Sequence, residues 1–287
     1  MIFHSRAAQA ITLATGSALA LVIAALSDHA QAQGKLDASY TISFARIRVG
    51  DITATVVLGD SEYAISARGH AGGVMKLIVD GEGSFTTRGT IKHGHPVPTT
   101  FTSKIVSGGE SSDVTMVLDE GSVKELAASS PPGRERVPVT EANRQAIVDP
   151  LTAMLFSAAA AASDGLPQEA CQHTLPIFDG HQRYDLKLAF KRMDKVTAEK
   201  GYAGPVVVCS AGYEPIAGHR ASTPLVKYLS EGREMEIALA PVADTRLLAP
   251  FRMSVVSMVA NLVIEANRFE ATSQPSGAST VTDPKPQ

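Results

Sequence analysis

Apolar and polar residues alternate with a period of two along most of the chain. Tyr40, Ile42 and Phe44 alternate with Thr41, Ser43 and Ala45; Ile52, Ala54, Val56 and Leu58 resume the pattern after Val49-Gly50-Asp51; Tyr63, Ile65 and Ala67 repeat it after Gly59-Asp60-Ser61-Glu62. Successive side chains of an extended segment point to opposite faces, so this spacing predicts half-buried strands, with the first tight turn at Val49-Gly50-Asp51. Beyond Gly69-His70-Ala71-Gly72-Gly73, residues 74–79 are more continuously apolar and Asp80-Gly81-Glu82-Gly83 closes them. Residues 84–91, 99–106 and 113–118 continue the pattern between glycine- or proline-containing turns, which predicts an antiparallel meander.

The polar, proline-rich residues 127–136 break the rhythm and predict a linker. Thr140 is placed to cap a short helix over 141–148. Strands return where Tyr184, Leu186, Leu188 and Phe190 alternate with Arg183, Asp185, Lys187 and Lys191, and Val206-Val207-Val208-Cys209 predicts a buried strand after a turn at 201–204. Residues 213–218 predict a structured loop, and 227–229 a hairpin with 234–239. Residues 247–266 are the most apolar stretch after the leader. Pro250, Arg252, Asn261 and Glu265 argue against a membrane span, so 251–256 and 262–269 are expected as closing strands.

The clearest helix signal is Asp149-Pro150-Leu151-Thr152-Ala153-Met154-Leu155-Phe156-Ser157 and the alanines to Ala162. Asp149 can cap the first turn, Pro150 suits the first helical position, and Gly165 follows the end. Leu151, Met154, Leu155, Ala158, Ala159 and Ala162 share one helical face, and Ala153, Phe156 and Ala160 extend it. The expected fold is therefore mainly β (α+β): a curved antiparallel sheet or partial β-barrel wrapped around one or two helices.

The first 32 residues change the setting. A short, weakly basic start, an apolar run over 11–26 and Ala30-Gln31-Ala32 describe a secretory signal peptide cleaved after Ala32, shorter in its apolar part than the ~20 residues of a spanning helix. No cysteine stands at the cleavage site to take a lipid. The expected organisation is a leader over 1–32, a single β-rich periplasmic domain over 33–272 and a disordered tail over 273–287 rich in Ser, Thr, Pro and Gly. The two cysteines, Cys171 and Cys209, are expected to pair in an oxidising compartment, which constrains the unfolded chain by roughly 3 to 4 kcal/mol. A net charge of −3 with scattered Lys and Arg leaves no footprint for nucleic acid, and the absence of Trp argues against stacking platforms.

Candidate chemistry is sparse. His93-Gly94-His95, with His173, His181 and His219 elsewhere, could begin a metal site but equally describes a loop, and spacing identifies no third ligand. Phe178-Asp179-Gly180-His181 sets a carboxylate beside an imidazole, although Asp-Gly more simply makes a turn. There is no G-x-S-x-G, no S-x-x-K in a convincing setting and no phosphate-binding glycine loop before a helix. No catalytic residue, metal or cofactor is assigned. What remains is apolar surface, the helix from Pro150 and the run around Phe251 to Ile264, which forms either a filled core or the lining of a groove for an acyl chain, with Leu151, Met154, Leu155 and Phe156 nearest to it.

Tyr40 through Val49-Gly50-Asp51, then Asp149-Pro150-Leu151-Thr152-Ala153, Phe178-Asp179-Gly180, residues 204–209, Tyr213-Glu214-Pro215-Ile216 and Pro250-Phe251-Arg252, in that order, resemble the exported bacterial proteins of the domain-of-unknown-function 3108 family. The likeness covers most of residues 38–270, and Met258-Val259-Ala260-Asn261-Leu262 departs from it where a glycine is expected before the last strand. The resemblance implies a periplasmic protein of a Gram-negative bacterium with no established catalytic residues. Its implied shape is similar to periplasmic lipoprotein carriers, in which a curved antiparallel sheet wraps helices around an apolar groove. The expected function is non-enzymatic binding or carriage of a lipid-like or lipoprotein ligand in cell-envelope assembly or integrity. An adaptor with a filled core, acting on envelope proteins, is the alternative, and a hydrolase using His181 or His93 comes third. The expected partners are a hydrophobic ligand or an envelope protein, with no nucleic acid and no integral membrane span.

Overall fold

The computed structural model describes residues 33–72, 81–129, 135–158, 166–232, 235–256 and 260–274. The expected leader, the apolar residues 74–79, the center of the linker, the alanines from Ala159 and the tail beyond Gln274 lie outside them, as does Met258-Val259 of the family departure.

The first half of the chain forms the expected meander. β1 (Gln33–Phe44), β2 (Ile47–Leu58), β3 (Glu62–Ala71), β4 (Gly81–Lys92), β5 (His95–Ser107), β6 (Glu110–Asp119) and β7 (Ser122–Ala128) each pair antiparallel with the strand before. The first turn lies earlier than the glycine suggested. Ala45 and Arg46 make it, with φ of 53° and 66°, the left-handed pair that a two-residue hairpin of right-handed twist requires. Gly50 instead lies inside β2, where a Cβ would come 2.7 Å from the carbonyl oxygen of His70.

A second meander follows: β9 (Thr174–Phe178), β10 (Arg183–Thr197), β12 (Ala203–Ala217), β13 (Met235–Pro241), β14 (Leu247–Val256) and β15 (Asn261–Gln274), with β8 (Phe156–Ser157) paired to β14 and β11 (Lys200–Gly201) to β15. The last strand does not close an edge. β15 lies between β14 and β1, with Leu36 opposite Ala271 and Ala38 opposite Phe269, so the two meanders join at the two ends of the chain into one 15-stranded sheet. Pro250 has no N–H for the ladder, and the β13–β14 register shifts beside it, between Ala238 and Leu239.

The ladder stays open between β7 and β9, yet the sheet curls until these ends are close. A segment of irregular chain straps them together. Ile147 N donates to Gly121 O at 2.9 Å in the β6–β7 turn, while Val148 N donates to Pro176 O at 2.9 Å and Val148 O accepts from Phe178 N at 3.0 Å on β9. The β9–β10 turn fits directly against β6, because a Cβ on Gly180 would lie 2.4 Å from Val114 Cγ1.

The strap occupies the place expected for a central helix, and the helical reading is corrected there. Thr152–Met154 makes a single 3₁₀ turn, and Phe156–Ser157 is already extended, pairing with Leu248 and Leu247. Leu155 packs among Leu36, Leu58 and Phe251, whereas Phe156 packs among Leu188, Val207 and Leu248. Consecutive apolar side chains buried in opposite directions is strand behaviour, and tertiary contacts on both sides override the local helical propensity. The sheet thus wraps a strap rather than helices. Similarly, 141–148 contains only the 3₁₀ turn Glu141–Arg144.

Two further expectations change. The segment expected as a hairpin arm is α1 (Pro224–Ser230), with Pro224 in its first turn, and the loop expected at 213–218 begins as the end of β12. Val206, Val207, Val208 and Cys209 are all fully buried because both faces of β12 are covered. Val206 and Val208 face the cluster around Phe251 and Phe269; Val207 and Cys209 face the one around Leu188 and Leu239. Cys209 forms the expected disulfide with Cys171, at the end of the 3₁₀ turn Gln168–Cys171, which fastens this second layer to β12. A third cluster, with Phe101, Met116, Ile147 and Phe178, fills the space under the strap's first residues. No helix among the described residues is long and apolar enough to cross a membrane.

Candidate functional site: an apolar cavity beneath the strap

The cavity forms where large inward-facing residues give way to small ones. Along β2 the inward positions are Ile52, Ala54, Val56 and Leu58; along β3 they are Tyr63, Ile65, Ala67 and Gly69; Ala54 stands opposite Ala67 across the ladder. With Ala249 on β14, these small residues leave about 630 Å³ between the sheet and the strap. That volume lies within the ~300–1,000 Å³ of typical ligand pockets. Tyr40 and Ile42 of β1, Phe85 of β4 and Ile264 of β15 supply walls, and Arg68, His70, Glu82 and Ser107 supply polar groups. Arg68, His70, Glu82 and Ser107 are all exposed, so polarity is confined to the rim.

Three of the four expected groove residues line this space. Leu151, Met154 and Leu155 project from the strap into it, beside Pro150. Phe156 does not; as an extended residue following Leu155 it turns to the disulfide side of the sheet. Met253 and Ile264, from the run expected to share the lining, also border it, whereas the lining from β1 to β5 has no counterpart in the expected set. Its signal was the same period of two that predicts the strands, read for where alanine and glycine interrupt the larger side chains.

A buried polar knot holds the strap over the cavity. Asp149, fully buried, accepts through Oδ1 from the backbone N–H of Leu151 (2.9 Å) and Thr152 (3.0 Å), as expected of a capping carboxylate. Its Oδ2 lies 2.5 Å from Thr152 Oγ1 and 2.9 Å from Thr87 Oγ1 on β4, and Tyr63 Oη on β3 reaches Thr152 Oγ1 at 2.7 Å. Thr87 Oγ1 is also 2.9 Å from Thr100 O. The Thr87 hydroxyl has one proton and two acceptors. The neutral form of Asp149 satisfies every contact: its Oδ2–H can donate to Thr87 Oγ1, Thr87 to Thr100 O, Tyr63 to Thr152 and Thr152 to Asp149. Burial pushes the Asp149 carboxyl above the usual carboxylate range, and its hydrogen bonds only partly oppose that. Gly89 permits the knot, since a Cβ there would lie 2.6 Å from Tyr63 Oη and 2.1 Å from Val97 O.

The histidine motifs do not gather into one cluster, although His173 lies near His95. His93 and His95 are exposed at the β4–β5 turn, His93 with φ of 51°. Burial and proximity to His95 lower the His173 pKa. Asp179 uses Oδ1 to accept from His181 N (2.8 Å) and Gln182 N (2.6 Å), which is a turn. Among the described residues, no three His, Cys, Asp or Glu side chains gather as a metal site. Glu236 is held at about 2, chiefly by the Arg192 fork at 2.9 and 3.0 Å with Lys191 beside it, in a partly exposed ion-pair network away from the cavity.

No curated protein matches the sequence. Among solved structures, the chain is similar to one described as "a putative lipoprotein from Parabacteroides distasonis ATCC 8503", at 7% identity over 84% of this chain and 96% of that one, with a TM-score of 0.30, a likeness too distant to inform on fold or ligand. A family profile described as "Protein of unknown function (DUF3108)" matches residues 39–266, from within β1 into the first part of β15 and including the strap and every strand that lines the cavity. The chain belongs to the DUF3108 family.

Proposed function

We propose that this protein binds a lipid-like apolar ligand, such as an acyl chain, in the cavity beneath the strap, and holds or carries it without catalysing a reaction on it. The observation that carries this reading is the separation of polarity within the cavity: aliphatic and aromatic walls inside, charged side chains only at the rim. A cavity with apolar walls is poorly suited to ordered water and favours an apolar occupant. The disulfide fits folding in an oxidising compartment. Together with the expected leader, it supports the periplasm as the place of action and envelope assembly or integrity as the process served.

Titration with a fluorescent fatty acid tests this reading. Ala54→Phe and Ala67→Phe place a ring in the space between the two alanines, and each is expected to weaken probe binding at least tenfold, about 1.4 kcal/mol, with the melting temperature close to that of the parent. Absence of saturable uptake by the parent protein, or equal uptake by the filled variants, contradicts the proposal.

A second reading is an adaptor that works through protein contacts. It is favored by the exposed apolar pair Phe44 and Ile47, 43% and 54% accessible, at the tip of the β1–β2 hairpin.

A further inference from the structure

A second recess, away from the cavity lining, has the opposite chemistry. Arg136 and Arg220 face each other in an antiparallel bridge, anchored by Val137 N donating to His219 O at 2.9 Å and Gly218 N to Val137 O at 2.7 Å. Directly opposed residues of an antiparallel pair project to the same side with Cβ atoms about 4.5–5.5 Å apart, where like charges repel. Among the described residues neither guanidinium has a carboxylate partner, and both line a recess of about 450 Å³ whose lining includes no acidic residue. Arg136 is held in place: Nη1 donates to Gly218 O at 2.9 Å, while its Nε is buried without a hydrogen-bond partner. Gly218 is required for this arrangement. Its φ is +78°, and a Cβ there would lie 1.9 Å from His181 O.

The rest of the lining adds neutral groups able to donate. Tyr213 contributes a phenol, Gln182 an amide and Thr223 a hydroxyl, with Val226 and Leu229 of α1 as an apolar wall. Burial, with Asp179 nearby, raises the Tyr213 pKa, which keeps its phenol protonated as a donor. Two planar forks with several neutral donors suit a tetrahedral oxyanion, whose oxygens can be bonded from several directions at once.

We infer that Arg136 and Arg220, with Tyr213, Gln182 and Thr223, form a binding site for a phosphate group. An anion there offsets the repulsion of the facing arginines and meets donors already in position. The group can come from a soluble phosphate or from the headgroup of an anionic phospholipid. The site stands on different residues from the apolar cavity and does not depend on what that cavity holds.

The test is calorimetric titration of the whole protein with inorganic phosphate at constant ionic strength, paired with cosedimentation on phosphatidylglycerol vesicles. Arg220→Gln is the informative variant, because the Arg220 side chain is exposed and makes no hydrogen bond that supports the fold; Lys104→Gln, an exposed cation on β5, is the charge-matched control. Saturable phosphate binding, weakened at least tenfold in Arg220→Gln and unchanged in Lys104→Gln, supports the site and a soluble source. Vesicle binding lost in Arg220→Gln and competed by phosphate supports the site with a lipid headgroup as its source. Binding of neither probe, or equal loss in the two variants, overturns the inference.

Discussion

Asp149→Ala is expected to destabilise the protein by about 3–5 kcal/mol, because it removes the one acceptor on which three buried donors converge, together with the partner of the Thr87 hydroxyl. The N–H groups of Leu151 and Thr152 and the hydroxyl of Thr152 donate to Asp149, and Thr87 Oγ1 lies within hydrogen-bond distance of it, all in a site that is fully buried. Asp149→Asn keeps an acceptor at Oδ1 for the two N–H groups and can donate from its amide to Thr87 as the neutral carboxyl does, but its nitrogen cannot accept from Thr152, whose hydroxyl must turn toward Tyr63; the loss is expected to be about 1 kcal/mol. The pH dependence separates the two. Folding raises the Asp149 pKa, so the folded protein keeps this proton where the unfolded chain has released it. The contribution of Asp149 to stability is therefore full below the ordinary carboxylate range and falls as pH rises from that range through the raised folded value. Chemical denaturation across acidic to neutral pH should show this fall in the parent protein and its absence in Asp149→Asn. A parent stability that rises across the same window relative to Asp149→Asn would show that the carboxylate is held charged.

Removing the disulfide has a comparable effect by a different route. Cys171 and Cys209 are 38 residues apart, and cross-linking them restricts the unfolded chain by about 4 kcal/mol on the chain-entropy view. Both are fully buried in the cluster with Leu188, Val207 and Leu239, so the double variant Cys171→Ala, Cys209→Ala also loses packing. For a chain of this size, the expected fall in melting temperature is on the order of 10 °C. A smaller loss, without the packing part, should appear in the parent protein once reductant has cleaved the bond, and reductant should leave the double variant unchanged. A melting temperature unaffected by either treatment contradicts the assignment of the disulfide as the fastening between β12 and the turn before β9.

The strands were legible because one face of the sheet is apolar and the other polar, and a period of two records that directly. Tyr40 and Ile42, Ile52 to Leu58, and Leu188 with Phe190 all fall where their alternation places them. Less legible was the order of the strands. No local pattern says that β15 returns to pair with β1, since that pairing depends on contacts more than two hundred residues apart in sequence. The strap was misread for a physical reason. Capping chemistry at Asp149 and Pro150 is common to an α-helix and to a single 3₁₀ turn. What ends the turn is the pull of two apolar layers on Leu155 and Phe156 from opposite sides. The cavity was legible only in part: its strap residues stood out as an apolar run, whereas Ala54, Ala67 and Gly69 matter for what they leave empty.

The most direct test of the cavity's role is native mass spectrometry of the protein isolated from the periplasm in which it is expected to reside, followed by denaturing mass spectrometry of whatever it releases. A lipid or acyl species in stoichiometric amount with the parent protein, and reduced in Ala54→Phe, is the predicted result. A protein that carries only its own disulfide-bonded mass, from the same preparation and under conditions that preserve known lipid complexes, would contradict it.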